Sequence, residues 1–313
     1  MKPSKIILKN HYVRISINWL KKRSLPGFRG YPLWDVGEFF LSGLKKGNLG
    51  IRAAGVAFNL FVSVFPMIIF FFTMIPYIPI DNFQSELLKF LNDVLPGDAY
   101  NLFSSTIEDT VIIQRGRLLS IGFILMLFFS SNGIIALIHA FNATHHDIET
   151  RSWLNKRVIA ILLVIILSIL VTTAISLVTV SNRLAINVLN LDLLKSSTVF
   201  FIVGFLKWII VIALFYFGTS FLYYLGPSRK SHFRFISPGA TLATIIQIIA
   251  TLGFSYYVNN FGQYNKLYGS IGTIIVVMML LYITSFALIL GFELNASIRE
   301  TDMNKINKKK KSY

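Results

Sequence analysis

The sequence has no cysteine and little charge. Without cysteine the chain has no disulfide bonds, thiolate metal ligands or cysteine nucleophiles. Charged residues make up 14% of the 313 residues, whereas a typical globular protein carries roughly 25%. Acids are the scarcer sign, with 14 Asp and Glu against 30 Lys and Arg. Hydrophobic residues make up 54% of the chain, and the long runs that they form predict burial in lipid.

Six of these apolar runs are long enough to cross a bilayer as helices. A span needs about 20 apolar residues to cross the roughly 30 Å hydrocarbon core. In lipid the backbone must satisfy its own hydrogen bonds, which favours helices. The sequence therefore predicts an all-α integral membrane protein with six transmembrane helices. The predicted spans are about 53–75, 118–141, 158–180, 198–225, 236–258 and 270–296.

The segments outside the spans divide the chain into three predicted regions. Residues 1–50 form a basic arm, residues 51–298 the six-span membrane domain, and residues 299–313 a basic tail. The arm is predicted to be either an interfacial segment held on anionic headgroups or a solvated basic arm, with an amphipathic piece over about 36–46. The first loop, 76–117, shows helical apolar spacing. It is expected to hold an amphipathic helix pair that either caps the bundle or gates it.

The distribution of Lys and Arg predicts the orientation. The residues before Ala53, the second and fourth loops and the tail together carry 23 of these residues, whereas the other three loops carry 6. Positive residues concentrate on the cytoplasmic side of membrane proteins. The sequence therefore predicts that both termini are cytoplasmic, with membrane lipids as partners and anionic headgroups at the basic ends. It predicts no nucleic-acid partner and leaves a homo-oligomer open.

Two charged residues stand inside predicted spans. Glu293, in span six, is the only acid in any of them. Intramembrane ionisable residues are costly, so Glu293 is either a proton or cation site or the partner of a nearby Lys or Arg. Lys207, in span four, either contacts an anionic headgroup or snorkels to the outer interface beside Trp208. If both spans are straight, Lys207 and Glu293 lie near opposite faces of the bilayer and do not pair.

Uncharged polar residues mark the sides of the spans that are predicted to face the bundle. Most of them are expected to hydrogen-bond between helices as structural contacts. Pro66 is predicted to kink or break span one, and Gly239 with Ala243 is predicted to allow close helix approach. The candidate binding or gating residues, besides Glu293 and Lys207, are Asn59, Ser63, Pro66, Asn132, Gln247 and Asn295.

No catalytic or cofactor motif is found. The sequence has no phosphate-binding loop and no dinucleotide fingerprint. His139, His145, His146 and Asp147 cluster near the second loop, but adjacent histidines point to different sides of a helix and make a poor metal site. The sequence predicts no enzyme activity, no cofactor and no metal.

Several motifs resemble those of the YihY/BrkB membrane proteins. The first-span run 53–66 (AAGVAFNLFVSVFP), the junction 224–227 with 237–240, and the run 290–296 (LGFELNA) carry the resemblance, which covers roughly residues 40–300. It implies a six-span protein of the bacterial inner membrane. It also implies that the family's old ribonuclease label is a misassignment, which fits the lack of a carboxylate cluster for Mg²⁺. The chain departs from the family pattern at Asn59, where an aromatic residue is usual.

The sequence leaves three functions open. The first is a transporter or translocase of a lipid or other amphiphilic envelope component, since two three-span halves would have inverted topology. The second is a cation/proton exchanger that uses Glu293. The third is a non-catalytic membrane scaffold or assembly factor. Spans one and six are the predicted location of the functional site.

Overall fold

The computed structural model describes residues 18–77, 116–144, 151–190, 196–228, 235–260 and 263–310. Those residues are mostly helical and contain no strand. The predicted helix pair of the first loop falls largely on 78–115, outside the described residues. The long helices are α1 (Leu33–Lys46), α2 (Leu49–Met74), α3 (Gly116–Thr144), α4 (Trp153–Asn190), α5 (Ser196–Leu225), α6 (Pro238–Asn260) and α7 (Gln263–Lys310).

The six helices from α2 to α7 each contain a stretch that is long and apolar enough to span a membrane. These stretches are Leu49–Met67, Gly116–Thr144, Trp153–Val178, Phe201–Leu225, Pro238–Tyr257 and Ile274–Thr301. Each falls on a run that the sequence marks as a span, so the prediction of an all-α membrane protein with six spans is confirmed. Helix α7 has 48 residues and is about 72 Å long, so it runs well past its apolar stretch into the basic tail.

Pro66 does not interrupt the first span. It lies inside α2, which runs unbroken from Leu49 to Met74, so of the predicted kink or break the break is wrong, and a kink stays a prediction. Proline lacks an N–H and removes one bond to the carbonyl four residues earlier. In lipid, where water cannot replace backbone bonds, the remaining bonds of a long apolar helix keep it intact through such a position.

The chain folds as two compact units, and residues 58–133 form the smaller one. Within it α2 and α3 pack closely, because a Cβ at Gly133 would lie 2.5 Å from the Leu60 side chain. The rings of Phe70 and Phe123 are also in contact, with centroids 5.6 Å apart. This unit holds Asn59, Ser63, Pro66 and Asn132, four of the predicted site residues.

The larger unit comprises residues 1–57 and 134–313. One end of the larger unit is flanked by Lys and Arg residues, and we call it the basic end. It is formed by α1, the start of α2, the ends of α3 and α5, the start of α6 and residues 288–301 of α7. Here α6 and α7 nearly touch, since a Cβ at Gly239 would lie 2.1 Å from the Gly291 carbonyl oxygen. A Cβ at Gly291 would likewise meet Ala243. The prediction of close helix approach at Gly239 and Ala243 is confirmed.

Helix α1 packs on α7 at this end. Val36 is fully buried in a cluster with Phe28 and Ile298, and Leu33 and Leu294 pack against that cluster. The opposite face of α1 leaves Leu41 exposed. Over residues 33–46 the N-terminal arm is therefore an amphipathic helix packed on α7, and this part of the arm is not a solvated basic segment.

Candidate functional site

A buried ion pair joins the first and last spans at the basic end. Arg52, near the start of α2, places Nη1 3.9 Å from Oε2 of Glu293 on α7. The two side chains are only 12% and 6% exposed. A low-dielectric surrounding strengthens both the attraction between two buried opposite charges and the cost of removing them from water.

The Arg52 guanidinium also donates hydrogen bonds to three oxygen atoms besides its contact with Glu293. Its Nη1 donates to the Gly47 carbonyl oxygen at 3.1 Å. Its Nη2 donates to the Ala140 carbonyl oxygen and, at 2.5 Å, to Thr144 Oγ1. These acceptors lie in the α1–α2 junction and at the end of α3. The planar fork of arginine can serve several acceptors at once, which a lysine could not do with the same geometry.

Helix α1 covers the Glu293 carboxylate. Gly43 sits so close that a Cβ on it would lie 2.0 Å from Glu293 Oε1 and 2.8 Å from its carboxyl carbon. Only glycine leaves room for the carboxylate at this distance. The backbone of α1 therefore lies directly against the Glu293 carboxylate.

Aromatic rings pack α3, α5 and α7 together along the segment of α7 that carries Glu293. The rings of Phe141 and Phe292 stack with centroids 4.5 Å apart. The Tyr223 ring contacts both rings edge-on. Its hydroxyl donates to the Leu288 carbonyl oxygen at 2.6 Å. These contacts fix α3, α5 and α7 around the segment that carries the carboxylate.

Asn295 fastens α6 to α7 beside the ion pair. Its Oδ1 accepts from the Gly239 N–H at 2.8 Å, and its Nδ2 donates to Ser237 Oγ at 2.9 Å. The side chain thus caps the start of α6, where the first N–H groups have no partner within the helix. These two bonds hold α6 and α7 together where the helices approach most closely.

Two further predicted residues of the larger unit, Gln247 and Lys207, make their contacts away from the ion pair. Gln247 lies deeper in the larger unit, where its Nε2 donates to Thr219 Oγ1 at 3.3 Å between α6 and α5. Lys207 lines a separate groove on α5. Ser63 donates to the Leu60 carbonyl oxygen within its own helix. Asn59 and Asn132 are half-buried in the smaller unit.

The sequence marks Glu293 and allows a nearby Lys or Arg as its partner, but it does not single out Arg52. In the sequence Arg52 is one of the positive charges before the first predicted span. Its place directly at the start of an apolar run is a pattern that could have indicated a buried base. Gly43 and Tyr223 gave no signal, because their roles depend on contacts across more than 60 residues of sequence. Among the described residues no group of three or more His, Asp or Glu could hold a metal ion.

The fold and the site together define a polytopic α-helical membrane protein whose basic end encloses an arginine–glutamate pair. Residues 40–313 match the family model described as virulence factor BrkB. The chain therefore belongs to the BrkB family, as its motifs predicted.

Relatives in bacteria support this assignment. The putative ribonuclease-like protein YfkH of Bacillus subtilis (strain 168) is 32% identical over 250 residues, covering 80% of this chain and 90% of YfkH. A UPF0761 membrane protein of Tolumonas auensis is 24% identical, covering 85% of this chain and 86% of the relative. A UPF0761 membrane protein of Xanthomonas campestris pv. campestris (strain B100) is also 24% identical, but this chain spans only 60% of its length. No solved structure matches the chain.

Substituting Gly43 tests the contact of α1 with the Glu293 carboxylate. Gly43→Ala forces the Glu293 carboxylate out of its position, because the new Cβ would overlap it. We expect the free energy of unfolding in detergent to fall by about 1–3 kcal/mol, the usual cost of overpacking a tight site. The matched control is Gly37→Ala on the same helix, where a Cβ would meet nothing within 4 Å. Equal stabilities of the two variants would contradict the described contact.

Proposed function

We propose that the chain is a transporter or translocase of a lipid or other amphiphilic envelope component, and that the Arg52–Glu293 pair is its charged site. One observation carries the proposal: an ion pair stands buried at the end of a membrane bundle, under a helix that covers it without a side chain in between. In the proposed transporter the buried charge binds the substrate, and movement of α1 exposes that charge.

The cost of the pair supports a functional role. Taking two ions out of water costs several kcal/mol for each, and a well-packed apolar pair of similar volume is often as stable or more so. Ionisable residues within membrane spans accordingly mark substrate or ion pathways more often than plain structural contacts. A purely structural contact at this place would not need charges. Uncharged hydrogen bonds such as those of Asn295, which join α6 and α7, would suffice.

The chemistry of Arg52 favours an anionic substrate group. A guanidinium binds phosphate or carboxylate oxygens through paired hydrogen bonds. In the proposed cycle α1 swings away, and an anionic headgroup replaces the Glu293 carboxylate beside Arg52. Protonation of Glu293 would remove the competing charge and so couple the exchange to a proton.

The alternative of a cation exchanger receives less support. Arg52 places positive charge 3.9 Å from the one carboxylate that could bind a cation, and like charges at such a distance repel. The ribonuclease term in the name of YfkH is not carried over to this chain, for which we propose no enzyme activity.

We further propose that the basic end faces the cytoplasm and that the protein lies in the bacterial cell membrane. The 23-to-6 asymmetry of Lys and Arg supports this orientation, and relatives bear the name of bacterial membrane proteins.

Single cysteines can test the orientation directly, because the natural chain has none. In spheroplasts we expect a membrane-impermeant maleimide to label Asn265→Cys, between the predicted fifth and sixth spans, at once. Ser312→Cys, in the tail, should react only after the membrane is permeabilised. The reverse pattern would refute the cytoplasmic position of the basic end.

Transport by reconstituted protein tests the function. In proteoliposomes with fluorescent phosphatidylglycerol, wild type should speed the exchange of label between leaflets, read as the fraction that dithionite quenches. A charge-assisted contact is worth about 1.5–3 kcal/mol, so Arg52→Gln and Glu293→Gln should slow the rate about ten- to a hundred-fold. Glu300→Gln, on the exposed side of α7, should keep the wild-type rate.

Rates are compared per folded protein, taken from the monodisperse fraction after reconstitution. A folded Glu293→Gln variant with wild-type transport would refute the role of the pair. Wild-type vesicles with no exchange above protein-free vesicles would refute lipid translocation by this chain under the assayed conditions.

A further inference from the structure

We infer that residues 18–32, which precede α1, form a docking surface for the headgroups of anionic lipids at the basic end. All charged residues of this segment are basic. Its exposed residues near the start include three of them, Lys21, Lys22 and Arg23. Trp19 and Leu25 are also 55% and 50% exposed. Exposed bases interleaved with exposed apolar side chains are typical of a segment that lies on a membrane surface. This inference does not depend on a transport role of the buried ion pair.

The local structure gathers the bases around two tryptophans. Residues 18–22 are helical, so Trp19 and Lys22, three residues apart, lie on one face. The guanidinium carbon of Arg23 lies 5.9 Å from the centroid of the Trp19 ring. The ammonium group of Lys21 lies 5.6 Å from the centroid of the Trp34 ring on α1. A guanidinium that stacks on a ring through its face keeps its N–H groups in the plane of the fork, where they can bind phosphate oxygens.

Contacts with two spans place the segment at the edge of the membrane. A Cβ at Gly27 would lie 2.7 Å from Pro238 Cγ, and Pro238 is the first residue of the fifth apolar stretch. Phe28 is buried against Ile298, which lies within one turn of the end of the sixth stretch, Ile274–Thr301. The segment therefore packs where both spans reach the boundary of the hydrocarbon core at the basic end.

Backbone hydrogen bonds hold the bases at this depth. Leu33 packs against the cluster of Phe28 and Ile298, and its N–H donates to the Arg23 carbonyl oxygen at 2.9 Å. The Arg23 N–H donates in turn to the Trp19 carbonyl oxygen at 3.1 Å. The headgroup layer is roughly 5–8 Å thick on each side of the core, which long basic side chains can reach across. Lipid phosphates are therefore within reach, and the membrane interface is also where tryptophan is enriched.

A soluble acidic protein is the other partner that a basic surface could attract. The depth of the segment favours lipid, because the bilayer already surrounds the protein at this level and contact needs no separate encounter. The exposed rings and Leu25 favour it as well, since they can insert between headgroups while the bases bind phosphate. Bound in this way, the segment would anchor the start of α1 at the membrane surface.

Quenching of Trp19 fluorescence tests the surface. In a variant with Trp34, Trp153 and Trp208 changed to Phe, Trp19 is the only tryptophan. This protein is placed in phosphatidylcholine nanodiscs that contain a lipid brominated near the headgroup end of its acyl chains. We expect half-maximal quenching at about ten-fold lower mole fraction of brominated phosphatidylglycerol than of brominated phosphatidylcholine. One basic residue near an anionic surface gives a preference of about five-fold, so three residues suffice for this difference.

Charge removal shows whether these bases cause the preference. In the single-tryptophan protein, both lipids should quench alike after the exposed bases are replaced through Lys21→Gln, Lys22→Gln and Arg23→Gln. A matched control removes the same number of charges from the end of α7 and should keep the preference: Lys308→Gln, Lys309→Gln and Lys310→Gln. About 1 M NaCl should weaken the preference, because the Debye length then falls to roughly 3 Å.

Three results would overturn the inference. Trp19 that neither lipid quenches would mean that the segment faces away from the bilayer, as a surface for an acidic protein would. Equal quenching by both lipids before charge removal would mean that headgroup charge is not recognised. A preference that survives removal of the three bases, or that stays unchanged in 1 M salt, would mean that these bases do not bind the headgroups.

Discussion

An ionised arginine and an ionised glutamate can remain buried in a lipid-embedded bundle only if their surroundings supply the contacts that water would otherwise make. The basic end of this chain is built around that constraint. Arg52 distributes its hydrogen bonds over the α1–α2 junction and the end of α3, in addition to its approach to Glu293. Three separate parts of the sequence, near residues 47, 140 and 293, thus meet at one guanidinium.

Close backbone approach makes this arrangement possible. Gly43 lets α1 lie directly over the carboxylate, and Gly239 with Gly291 lets α6 and α7 touch beside it. The stacked rings of Phe141 and Phe292 and the clamp of Asn295 then hold the helices in place. The cover over the carboxylate is a single amphipathic helix, α1.

The sequence predicted the spans well because apolar runs of about 20 residues have few alternatives to a membrane helix. It also identified Glu293, since an acid in such a run is costly. It did not identify Arg52 as the partner, because the positive-inside rule already explained a base at that position. The role of Gly43 depends on an approach to a residue 250 positions away, which no local pattern encodes. Of the kink or break expected at Pro66, the break did not occur, because the bonds on both sides of a proline suffice to continue a long apolar helix.

Removing both charges together tests most directly whether the pair is a functional site or only a structural contact. Arg52→Gln/Glu293→Gln leaves no uncompensated buried ion, so its folding should recover compared with either single variant. We predict that this double variant is as stable and monodisperse as wild type in detergent but does not exchange fluorescent phosphatidylglycerol between leaflets. Recovery of wild-type exchange together with folding would contradict the account and would show that the pair serves only to hold the helices together.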